Sequence, residues 1–186
     1  MSRSVRRILL LALPAFALAA CNQEPAAPPG TNQAVSQPSE ATIPAVNLIT
    51  ADGGAGGSVS LAESAGGVEV TIAATGLPPG THGLHLHAVG LCDVPKFESA
   101  GAHWNPTGRQ HGRDNPQGAH LGDLANVEIG ADGSGNSVVA IEATQMAMAD
   151  ADGTSLVIHA KADDYKTDPS GDSGDRIACA VISPPK

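Results

Sequence analysis

An all-β domain, an antiparallel sandwich or barrel of seven or eight short strands, is the fold this sequence predicts. Three observations predict it. Short runs of Val, Ile, Leu and Thr alternate with polar or small residues, most cleanly in Val68-Glu69-Val70-Thr71-Ile72. Glycine and proline turns separate these runs, for example Gly76-Leu77-Pro78-Pro79-Gly80 and Ala131-Asp132-Gly133-Ser134-Gly135. No stretch keeps the 3.6-residue apolar period of a long amphipathic helix.

Residues 46–49 and 58–61 read as the opening strands, and 68–72 follows them into the first turn. Residues 83–88 form the next strand and carry His85 and His87. Residues 126–129 and 137–141 flank the second turn as a hairpin. Residues 154–159 and 176–182 complete the set. Two long segments, 91–120 and 162–175, lack strand patterning, and loops of that length in a compact domain are usually functional. Beyond residue 45 the aromatic side chains are Phe97, Trp104 and Tyr165, so the core must be built from Val, Ile, Leu and Ala.

The chain opens with Arg3, Arg6 and Arg7 and an apolar run over 8–17 that is too short to span a bilayer. Leu18-Ala19-Ala20-Cys21 resembles a bacterial lipobox, in which Cys21 becomes the lipid-modified first residue of the mature chain. An ordinary secretory signal cleaved near Ala20 is the plainer alternative, and either one exports the protein. The expected organisation is a signal peptide over 1–20, a flexible Pro/Ala/Gln-rich tether over 22–45, and one domain over 46–186. Three cysteines make an odd count. Lipid on Cys21 would leave Cys92 and Cys179 as a pair that an oxidising compartment joins; three free thiols is the alternative. The formal net charge is −9, and loss of the three N-terminal arginines takes it to −12. Such acidity argues against nucleic acid as a partner.

Six of the seven histidines and one aspartate form a series: His85, His87, His103, His111, His120, Asp123 and His159. Side chains on a strand alternate faces, so His85 and His87 point the same way and make half of a site for copper or zinc. On the first long segment His103, His111, His120 and Asp123 supply four donors of the kind zinc takes in a tetrahedron. His85, His87 and His159 then need a fourth nitrogen. His103 can provide it by binding one cation through each ring nitrogen. His82, the seventh histidine, is expected to make a structural hydrogen bond instead. Met146 and Met148 read as packing or exposed loop rather than as a soft copper site.

The strings Gly83-Leu84-His85-Leu86-His87, Ala100-Gly101-Ala102-His103-Trp104-Asn105-Pro106, His120-Leu121-Gly122-Asp123-Leu124, Leu156-Val157-Ile158-His159 and Arg176-Ile177-Ala178-Cys179 resemble the copper/zinc superoxide dismutase family. They are similar in particular to its bacterial envelope branch, in order across essentially all of 46–186.

The resemblance implies an eight-stranded antiparallel Greek-key barrel with two long functional loops. It implies one copper on His85, His87, His103 and His159 and one zinc on His103, His111, His120 and Asp123, per subunit. Cys92 and Cys179 align with the family's disulfide. Arg176 aligns with the arginine that holds the anion beside copper, and Asp163 with a carboxylate linking histidines of the two sites. His103 is implied to take part in catalysis as well as bridging. The implied activity is dismutation of superoxide to oxygen and hydrogen peroxide in the bacterial envelope, with the protein lipid-anchored through Cys21 and facing the periplasm. A metal-binding envelope lipoprotein of the same fold without catalysis is the alternative. Monomer and homodimer both stay open. Asp172 and Asp175 are acidic departures beside Arg176, and Trp104 stands where phenylalanine is common.

Overall fold

The structure, a computed structural model, describes residues 42–186. The expected signal peptide, the lipid site Cys21 and the tether up to residue 41 lie outside the described residues. Strand β1 spans Thr42–Thr50, β2 Ala55–Ser64, β3 Gly67–Ala74, β4 Gly80–His82, β5 Leu84–His87, β6 Val127–Ile129, β7 Gly135–Ile141, β8 Thr154–His159 and β9 Arg176–Ser183. Helix is confined, among the described residues, to a 3-10 turn at Glu98–Ala100 and one four-residue turn, α1, at Gln145–Met148.

Seven strands form one antiparallel sheet in the order β5-β8-β9-β1-β2-β3-β7, and β4 pairs with β6 apart from it. β6 packs against β7 at one edge, while β4 runs through Gly83 into β5 at the other, so the sheet curls into a barrel. The all-β antiparallel barrel is as expected. β4 adds a strand to the eight read from the sequence, because its three residues follow a Pro-Pro-Gly turn and are too few to show alternation. β1 starts earlier than its Val46 signal, since Pro44 and a register shift between Ile43 and Val46 interrupt the pattern.

Alternation decides what each strand buries. On β3, Val68, Val70 and Ile72 are fully buried, while Glu69 and Thr71 are exposed. Leu84 and Leu86 of β5 and Leu156 and Ile158 of β8 join them in the barrel core. Each such side chain contributes about 1.5–3 kcal/mol relative to exposure. Trp104 is buried in this core too. β8 is buried along its whole length because its outward Val157 packs with Phe97, Ala100 and Cys179 in a second, smaller cluster. Cys92 and Cys179 are joined in a disulfide with Cα atoms 5.7 Å apart, fastening the segment after β5 to β9. His82 ties β4 to β8: its Nδ1 lies 2.7 Å from the His159 carbonyl and its Nε2 2.8 Å from that of Pro78. Met148 is buried and Met146 exposed at 84%, so the two sulfurs do not share an environment.

Candidate metal centre

β5 positions the centre through both of its edges. One edge pairs with β8, setting His85 opposite Val157 and His87 opposite Ser155. The other receives the two ends of the long loop: Leu86 N–H donates to Gly122 at 2.9 Å, Trp104 N–H to Leu86 at 2.8 Å, and Ala88 N–H to Ala102 at 2.9 Å. These bonds place His103 opposite His87 and Asp123 opposite His85. A Cβ on Gly122 would stand 2.7 Å from the Leu86 carbonyl oxygen, so the close approach requires glycine. His159 ends β8, and the register sets Arg176 of β9 directly across from it.

Seven residues separated by up to 74 positions in the chain thereby meet. One donor atom from each of His85, His87, His103 and His159 lies within 4.8 Å of the others, and the same holds for His85, His103, His111 and Asp123. His120 stands beside the second group. Asp123 Oδ1 has the Nδ1 of His103 at 3.1 Å, of His111 at 2.9 Å and of His120 at 3.1 Å. Four donors at about 2.1 Å around a tetrahedral ion are roughly 3.4 Å apart, so this spacing suits one cation shared by all four. The Nε2 atoms of His87 and His159 face each other at 3.4 Å. Their Nδ1 atoms lie against carbonyls, His87 on Gly101 at 2.9 Å and His159 on Gly174 at 3.1 Å. Protons are thus held on Nδ1, leaving both Nε2 lone pairs directed inward.

Three ring nitrogens, His85 Nδ1, His103 Nε2 and His111 Nδ1, are buried without a hydrogen-bond partner. His111 Nδ1 is near Asp123 yet poorly aligned for a hydrogen bond, as expected of two donors aimed at a common third point. Buried polar atoms are rarely left unpaired in native proteins. The residues therefore fit a metal pair: four nitrogens on one side, three nitrogens and a carboxylate oxygen on the other, with His103 facing both.

Electrostatics separates the rings. Burial, with neighbouring rings adding to it, lowers His103 to about 4 and His159 to about 3, and holds His87 well below its ordinary value. Burial also lowers His85, partly offset by Asp163. His111 differs: burial pulls it down, but Asp123 and Asp163 outweigh that and raise it to about 9. Burial works against charge on Asp123 and Asp163 as well. Hydrogen bonds from the rings prevail and keep both carboxyls below the usual range.

Asp163 is fully enclosed between the groups, with His85 Nε2 2.9 Å from its Oδ2 and His111 Nε2 3.0 Å from its Oδ1. A Cβ on Gly171, which has φ 66°, would collide with that same Oδ1 and with His111. Arg176 donates to Phe97 O at 2.5 Å and to Gly101 O at 2.6 Å. Gly101 O thus holds both Arg176 and His87, fixing the guanidinium beside the four-nitrogen group. Lys96, Glu98 and Asp175 line an open pocket against Arg176.

Residues 55–182 match the family model described as copper/zinc superoxide dismutase. The chain belongs to the copper/zinc superoxide dismutase family. Among its relatives, the superoxide dismutase-like protein YojM of Bacillus subtilis (strain 168) is 38% identical, with 95% of each chain covered. The superoxide dismutase [Cu-Zn] of Caulobacter vibrioides is 40% identical, covering 70% of this chain and 80% of that one. A crystal structure of a SOD-like protein from Bacillus subtilis superposes with a TM-score of 0.73 at 40% identity, over 76% of this chain and 99% of the other. The Cu/Zn superoxide dismutase of Brucella abortus gives 0.64 at 29%, over 77% and 100%.

Within this family member, sequence reasoning passed over the groups that lock the centre from outside. Asn126 donates to Asp163 O at 3.0 Å and accepts from Asp163 N–H at 2.9 Å. Asp168 accepts the His111 N–H at 2.6 Å. Asn126 lies three residues beyond Asp123 and Asp168 inside the second long loop, and nearness to the ligand series is their one signal in the sequence.

Proposed function

We propose that the protein dismutates superoxide to oxygen and hydrogen peroxide, using one copper held by His85, His87, His103 and His159 and one zinc held by His103, His111, His120 and Asp123. The observation that carries this is the His103 ring, whose Nδ1 sits in the carboxylate-centred group while its partnerless Nε2 faces the four-nitrogen group. Bound copper would supply a one-electron couple, and zinc a redox-inert charge.

The chain's own residues do the rest. Arg176, its guanidinium fixed by two carbonyls, holds the anion by a charge-assisted bond. His103 Nε2, buried without a partner, is the atom placed to hold and hand over a proton. Asp163 orients His85 and His111 together. The envelope location and the lipid anchor at Cys21 rest on the N-terminal sequence, supported by the disulfide, which needs an oxidising compartment.

Superoxide decay followed with the purified, metal-loaded protein tests the reading, with elemental analysis of the same sample. One copper and one zinc per chain with fast decay is expected. A fully metallated sample without activity favours the metal-binding lipoprotein instead.

A further inference from the structure

Tyr165, the chain's only tyrosine, makes four contacts that converge on the two long loops. Its N–H donates to Asp163 Oδ1 at 2.7 Å, and its carbonyl accepts from Asp114 N–H at 3.0 Å. Its hydroxyl accepts the Asn126 N–H at 2.9 Å, and its ring lies 3.7 Å beneath the Arg113 guanidinium. The residue sits at φ 61°, a left-handed conformation that a side chain bearing Cβ rarely adopts. That backbone serves Asp163 with its N–H and Asp114 with its carbonyl. Gly112 completes the fit, since a Cβ there would collide with the Tyr165 carbonyl.

Asn126 grips the backbone of Asp163 on both its N–H and its carbonyl. Tyr165 and Asn126 therefore fix Asp163 by main chain and carboxylate together. Asp163 in turn bonds one ring from each metal group, His85 and His111.

We infer that Tyr165 is a positioning residue whose clamp on Asp163 and on the His111 loop governs how tightly the zinc group keeps its metal. The inference rests on the metal-binding reading above. Groups that orient ligands from outside typically change metal affinity 10–100-fold when removed. Tyr165→Phe deletes only the hydroxyl acceptor and leaves the Asn126 N–H short of a partner. Arg113→Ala deletes only the stacked cation, at an exposed position.

The test is zinc release from full-length, copper- and zinc-loaded protein into excess chelator, with the copper electron paramagnetic resonance spectrum recorded beside it. Tyr165→Phe should release zinc about tenfold faster and shift the copper signal through His85. Arg113→Ala should release it several-fold faster, and Arg113→Lys, which keeps a cation over the ring, should stay close to wild type. Release at the wild-type rate from both Tyr165→Phe and Arg113→Ala overturns the clamp. Lower melting temperature with unchanged release, measured where all variants are folded, overturns it too. Wild-type protein that takes up no zinc overturns the metal-binding reading and the clamp with it.

Discussion

A single carboxylate oxygen, Asp123 Oδ1, has three imidazole nitrogens within 3.1 Å, and its partner Oδ2 accepts the N–H groups of Gly112 and His120. That geometry makes Asp123 the residue on which zinc binding should depend most. Asp123→Ala is expected to lose zinc first, by 10-fold or more in affinity, while copper stays at one per chain; selective copper loss in elemental analysis would reverse the division of ligands. The metal-free protein carries a second expectation. His103 and His159 fall from 6.5 to about 4 and about 3 on folding, so the unfolded chain binds more protons below pH 6.5. Their contribution is present above pH 6.5 and lost as pH falls toward 4. His111, raised to about 9, contributes below 6.5 and loses its contribution as pH rises through 9. Melting temperature of chelator-treated protein should therefore peak at about pH 6.5–7, fall as pH drops toward 4 and fall as pH rises toward 9; a flat profile from pH 7 to 4.5 contradicts the burial argument. At this scale the sequence showed residue types and spacing. It could not show which ring nitrogen is free, because that depends on the Gly101 and Gly174 carbonyls, which no side-chain pattern marks.

Among the elements, β5 is short and buried on both faces, with leucines in the barrel core and histidines toward the loops. Its alternation was legible, as was that of β3. β4 was not, since a three-residue strand beside a turn has no period to read, and its role comes from pairing with β6 and from the His82 bond to β8. The crossings between the two loops were also hidden. They join residues such as His111 and Asp168, 57 positions apart, through one backbone N–H. The disulfide belongs to this scale, fixing one end of the long loop to β9 across 87 positions. Replacing Cys92 and Cys179 together by Ala should lower stability by up to about 4–5 kcal/mol on the chain-entropy model. An unchanged urea midpoint would show that the loop needs no such fastening.

Charge is distributed unevenly over the whole molecule. Residues 42–95 and 126–158, which supply most of the barrel, contain no Lys or Arg. Lys96, Arg109, Arg113, Lys161, Lys166 and Arg176 all lie in or at the edge of the two loops. Apart from Lys186 at the C-terminus, the positive charge of the described residues is thus gathered in the two loops, although the protein as a whole is acidic. Dismutation should slow as salt shortens the screening length from about 10 Å at 0.1 M to about 3 Å at 1 M. In Arg176→Ala, with both metals retained, the rate should drop by roughly 10–100-fold, the worth of one charge-assisted bond, and its salt dependence should weaken. A wild-type rate that rises with salt would mean that Asp172, Asp175 and the acidic barrel dominate the approach.

The shared ring of His103 is where the account is most exposed, and anomalous diffraction from crystals of the loaded protein, collected across the copper and zinc absorption edges, examines it directly. Two different metals, with one His103 nitrogen on each, is the expected map. A map with both metals in place but His103 bonded to one of them alone would contradict it.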